Sequence, residues 1–64
     1  MMGRSEYRNG YCRGYDFVAY EGGSPGKVFS ELKCRGFVFR SPYGIGFMQG
    51  ARDRSEGKPR RYLD

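Results

Sequence analysis

The chain has 64 residues, with 12 Lys+Arg against 7 Asp+Glu, a net charge of +5, and neither His nor Trp. That length holds one small domain, which buries only about 60% of its unfolded surface. Without His the commonest general base is missing, so a non-enzymatic protein with no cofactor is expected. No apolar run reaches the roughly 18 residues of a membrane span. The first residues carry no apolar signal region, so the expected compartment is the cytoplasm, with no membrane partner.

Aliphatic core formers are few: Val18, Val28, Val38, Ile45, Leu32 and Leu63. Six Tyr and five Phe outnumber them, so the core has to be aromatic, each ring burying on the order of 150–250 Å². A chain that orders only on its partner is the competing reading, because the aliphatic content is low and the charge high.

Residues 1–4 read as a loose lead. Over 5–21, Tyr7, Tyr11, Tyr15 and Val18 or Ala19 fall at helical spacing. Ser5 is a candidate N-cap with Glu6 in the first turn. Gly10 and Gly14 weaken that helix by about 1 kcal/mol each, yet offer a smooth strip on which another backbone could pack. A strand over Asp16–Tyr20 is the alternative. Gly22-Gly23-Ser24-Pro25-Gly26 is turn chemistry. Residues 27–40 alternate well enough to predict a short hairpin around Cys34-Arg35, with Phe37 and Phe39 on one face. A short helix from Pro25 to Lys33, closed by Gly36, is the runner-up. Ser41-Pro42 then opens a glycine-rich helix through Arg54 with Tyr43, Phe47, Gly50 and Ala51 at helical spacing. Residues 55–64 read as a disordered basic tail. The expected fold is therefore a small α+β domain over residues 5–54: an N-terminal helix, a short hairpin and a glycine-rich C-terminal helix, followed by a flexible charged tail at 55–64.

Little in the chain suggests catalysis. The acids Glu6, Asp16, Glu21, Glu31, Asp53, Glu56 and Asp64 form no local pair. Cys12 and Cys34 are expected to be reduced thiols, and two Cys without His fall short of a four-ligand zinc site, so no metal is expected. Gly22–Lys27 is followed by Val28 and is one residue short of a P-loop. Gly44–Gly50 is one residue too long for a dinucleotide fingerprint.

Arginine paired with aromatics carries the functional signal. Arg grips phosphate in a bidentate fork and stacks on planar groups, and aromatic rings stack on bases. The residues expected to bind nucleic acid are Arg8, Arg13, Arg35, Arg40, Arg52 and Arg54 on phosphates. Tyr11, Tyr15 and Tyr43 would stack if exposed. RNA or a ribonucleoprotein is the favoured partner. An acidic protein surface is the alternative, since Arg and Tyr also anchor protein interfaces, and a homodimer would bury more aromatic surface.

Four pieces in order also resemble the ribosome modulation factor family: Arg13-Gly14-Tyr15, the turn at 22–27, Pro42-Tyr43, and Phe47-Met48-Gln49-Gly50 followed by Ala51-Arg52-Asp53. They cover about half the chain. The sequence departs from the family in lacking tryptophan, with Phe47 alone in its place, and in carrying residues 28–40 as an insertion. The resemblance implies two helices and binding to the ribosome through its RNA. The reading from another class is a small inhibitor or adaptor, of the kind phages and mobile elements encode, that blocks a host protein's nucleic-acid site.

Overall fold

The computed structural model describes the backbone of residues 2–62 and the side chains of residues 5–62. Met1, Leu63, Asp64 and the side chains of the predicted lead lie outside the described residues. The elements are α1 (Met2–Tyr20), a 3₁₀ turn (Pro25–Lys27), α2 (Val28–Arg35) and α3 (Pro42–Ser55).

The described residues contain no strand, so the expected α+β class is corrected to all-α. The hairpin predicted at 27–40 is the 3₁₀ turn, α2 and a loop. Val28 and Leu32 fit a strand face and a helix face equally well, being four apart. The helix prevails because both its ends are made locally. Pro25 starts the turn, and Lys27 N–H donates to Ser24 O at 2.9 Å. Gly36 closes α2 in the left-handed region at φ 82°, and Phe37 N–H donates to Leu32 O at 2.9 Å. Arg35 pairs with Glu31 across one turn at 2.7 Å. A lone two-stranded hairpin has no third strand to support it and is marginal in water.

The tyrosine stripe of α1 does face inward, and the glycines explain themselves in pairs. A Cβ on Gly10 would collide with the backbone of Tyr43, and one on Gly14 with that of Phe47. A Cβ on Gly46 would strike Tyr7, and one on Gly50 would strike Tyr11. Residue numbers rise together on both helices, so α1 and α3 run parallel and touch backbone to backbone. Two Gly-x-x-x-Gly strips, Gly10/Gly14 and Gly46/Gly50, face each other. Small residues at this spacing let helix axes approach closely.

Parallel neighbours need a long return, and residues 21–41 supply it. Val28 and Leu32 of α2 fill the gap beside Phe17, Phe47 and Ala51 to make the core. The turn into α3 is made as predicted: Pro42 is in the first turn, and Gly44 N–H donates to the Ser41 hydroxyl at 3.1 Å.

The predicted tail is also placed differently. After α3, Gly57 adopts φ 75° and the chain turns back over the tyrosine face of α1. Tyr15 donates its hydroxyl to Lys58 O at 2.7 Å, and Arg60 pairs with Asp16. Tyr62 stands edge-on to Tyr11 and Tyr7, with centroids 5.2 and 6.0 Å apart. Composition at 55–64 is that of a loose end, but Arg60, Arg61 and Tyr62 have partners more than 40 residues away.

Candidate nucleic-acid interface

Two features of the molecule carry chemistry: a buried carboxylate and an exposed aromatic cleft. The carboxylate belongs to Asp53, which α3 turns inward between the exposed Arg52 and Arg54, leaving it 1% accessible. Tyr11 donates its hydroxyl to Asp53 Oδ2 at 2.6 Å, Gln49 Nε2 donates to Oδ1 at 2.8 Å, and Arg61 Nε lies 2.9 Å from Oδ2. Burial pushes the Asp53 carboxyl up, but the hydrogen bonds from Tyr11 and Gln49 and the charges of Arg61 and Lys58 outweigh it. The group is held below the usual carboxylate range. The Tyr11 phenol is pushed up to about 12, first by burial and then by its hydrogen bond to Asp53. Its oxygen also accepts from Arg61 N–H at 3.0 Å. The carboxylate is saturated by these donors, and the network ties α1, α3 and the returning segment together. Its role is structural. The described residues hold no cluster of three or more His, Cys, Asp or Glu suited to a metal ion.

The residues expected to bind nucleic acid divide sharply. Tyr11 is wholly buried, so its ring has no open face for a base. Tyr15 is half-buried, hydrogen-bonded to Lys58 and covered by Arg60, whose guanidinium carbon is 4.9 Å from the ring centroid. Tyr43 is half-buried and stacked on Phe37, with centroids 3.8 Å apart and planes at 10°. Arg35 binds Glu31 and Glu21 and lies 5.2 Å from the Phe47 centroid, so its charge is used inside the molecule. Arg8, Arg13, Arg40, Arg52 and Arg54 are exposed and make no ion pair with the described residues. Within each helix they do not share one face. Arg52 and Arg54 lie on opposite flanks of α3, on either side of buried Asp53, and Arg8 and Arg13 lie on separate flanks of α1.

The internal ion pairs therefore leave a lopsided surface. Asp16, Glu21, Glu31, Asp53 and Glu56 are each bound to a cation. Among the described carboxylates only Glu6 is outside a pair, while Lys27 and Lys33 join the five exposed arginines as cations without an acid.

The aromatic cleft, of about 530 Å³, is lined by Phe29, Lys33, Phe37, Val38, Phe39 and Arg40. Phe29 and Lys33, four apart, project from the outer side of α2 opposite the 37–40 loop. That loop is fastened at its far end by Ser41, whose N–H and hydroxyl both donate to Val38 O, at 3.0 and 2.6 Å. Phe29 is 60% exposed and Val38 69%. Phe29 meets Phe39 edge to face at 5.8 Å. Of the predicted residues only Arg40 belongs to this cleft. Phe29, Lys33, Phe37 and Phe39 were missed because the expected aromatic core claims the phenylalanines, and spacing does not separate the two readings: Phe29 and Lys33, four apart, share a face of a strand as of a helix. A second, smaller depression of about 240 Å³ is lined in part by Glu21 and Glu31, already bound to Arg35.

Comparison with protein-family models, curated proteins and solved structures finds no match. Among the described residues no helix is long and apolar enough to cross a membrane.

Proposed function

We propose that the chain is a small, basic, non-enzymatic RNA-binding protein of the cytoplasm that acts at the ribosome or another ribonucleoprotein. The observation that carries this reading is the pairing pattern: internal ion pairs use nearly every described carboxylate and leave Arg8, Arg13, Lys27, Lys33, Arg40, Arg52 and Arg54 facing solvent. A positive surface of this kind attracts a phosphate backbone, and released counterions drive the binding. The ribosomal assignment draws its support from the sequence resemblance to ribosome modulation factor.

The test is fluorescence anisotropy with a labelled RNA over a salt series. Binding should weaken steeply with salt, and replacing one phosphate-contacting arginine by alanine should reduce the log–log slope by about one. Absence of RNA binding at low salt overturns the proposal. The inhibitor or adaptor reading draws on the exposed Phe29, Phe37, Val38 and Phe39, which fit an anchor for one host protein. It requires most of the affinity for that protein to vanish when one or two of these side chains are truncated.

A further inference from the structure

We infer that the cleft between α2 and the 37–40 loop takes an unstacked base of a single-stranded nucleic acid, with Lys33 and Arg40 on its flanking phosphates. The inference rests on the RNA-binding reading and names the form of RNA that this surface selects.

Four observations lead there. Phe29, Phe37, Val38 and Phe39 leave a contiguous apolar surface in water on a chain with few aliphatic residues to spare, and exposed patches of this kind mark binding sites. The rings are already held: Phe37 lies flat on Tyr43 at 3.8 Å, and Phe29 stands against Phe39. A ligand therefore meets a pre-organised platform and does not have to order it. The cleft's size falls within the roughly 300–1,000 Å³ of small-ligand pockets, which suits one planar group and excludes a duplex with its bases paired. The rim carries two cations and no carboxylate, and neither cation is bound within the described molecule.

Charge decides between occupants. A two-fold dimer would set each patch against its own copy, bringing Lys33 and Arg40 of both chains together between proteins of net charge +5. An apolar peptide would leave both cations facing nothing. A nucleotide satisfies the rings and the cations at once, since every base has a face to stack and a phosphate on either side.

The probes are three labelled oligonucleotides of equal phosphate count: single-stranded oligouridylate, an abasic strand and a blunt RNA duplex. Each is titrated by anisotropy at low salt against the full chain and against F29L and F39L. Both positions are surface-exposed, so circular dichroism should show an unchanged helix content. The single strand should bind the native chain at least tenfold more tightly than the abasic strand or the duplex. Each leucine variant should weaken it about five- to 150-fold and leave abasic binding unchanged. K33Q should weaken both strands. Equal affinity for all three probes overturns the base pocket while RNA binding stands. No binding to any probe overturns RNA binding itself. A native dimer in sedimentation that F29L dissociates overturns the inference in favour of a second copy in the cleft.

Discussion

Gly14→Ala is the sharpest probe of the fold. A Cβ at that position would collide with the Phe47 carbonyl, 2.7 Å from its carbon and 2.8 Å from Cα, where ordinary contact begins at 3.4 Å. The obstacle is helix backbone, which cannot rotate aside as a side-chain tip can. The axes of α1 and α3 must move apart by about an ångström, opening the packing around Phe47, which is wholly buried. Alanine favours an isolated helix over glycine by about 1 kcal/mol, so propensity alone predicts stabilisation. Overpacking costs about 1–3 kcal/mol where neighbours can yield and more where they are backbone. The net expectation is a loss of about 2 kcal/mol or more. A chain of this size has roughly 3–10 kcal/mol in total. Urea unfolding followed by circular dichroism measures the change, with Gly26→Ala as control. Around Gly26 an added Cβ would meet only the Ser24 hydroxyl at 3.9 Å, so this variant should be neutral or up to about 1 kcal/mol more stable. A Gly14→Ala protein as stable as the native chain would refute the backbone contact between parallel helices.

Other outcomes follow from the polar end of the molecule. Tyr11→Phe takes a donor from buried Asp53 and an acceptor from Arg61 N–H; it should cost roughly 1–3 kcal/mol at neutral pH in the same unfolding assay. Because the folded pKa of Tyr11 is raised to about 12 from 10.0, its contribution is intact below the unfolded value and is lost as pH rises through the folded one. Between pH 10 and 12 the native protein should therefore lose roughly 2–3 kcal/mol more stability than Tyr11→Phe, read as the difference between their alkaline unfolding curves. Cys34 is exposed and Cys12 buried. A thiol reagent should modify Cys34 promptly in the native protein and reach Cys12 at the rate of unfolding, with mass spectrometry identifying the labelled peptide.

The helices of this fold are legible where the local signal is redundant. The Tyr7–Tyr11–Tyr15 spacing and the Ser41-Pro42 cap both reappear in the structure, but the helix start expected at Ser5 does not: α1 begins at Met2, so Ser5 lies within the helix and the backbone of the expected lead is helical from Met2 on. Gly10 and Gly14 were readable as a packing strip, but its partner was not, because Gly46 and Gly50 lie more than 30 residues away and nothing local links the two motifs. Residues 27–40 misled because Val28 and Leu32, four apart, suit either period. The choice was made by Gly36 at φ 82° and by the cost of a sheet with only two strands. The exposure of the tyrosines was not legible for a related reason. Tyrosine spacing shows which side of α1 is apolar, but that side faced the core and the returning segment, so Tyr11 and Tyr15 were consumed by packing. The phenylalanines of the α2 and 37–40 region remained outside.

The parallel course of α1 and α3 also bears on how the protein is made. Chains emerge in order of synthesis, at roughly 5–20 residues per second. Outside α1 itself, the partners of Tyr7, Gly10, Tyr11 and Gly14 all lie at or beyond Tyr43. Until that part of the chain is made, therefore, α1 exists without the helix that covers its tyrosines and glycine backbone. A helix carrying two interior glycines holds its shape poorly alone. The N-terminal half is thus an aromatic segment with little helical stability of its own. Its protection comes all at once, when α3 and the segment up to Tyr62 lie down on it.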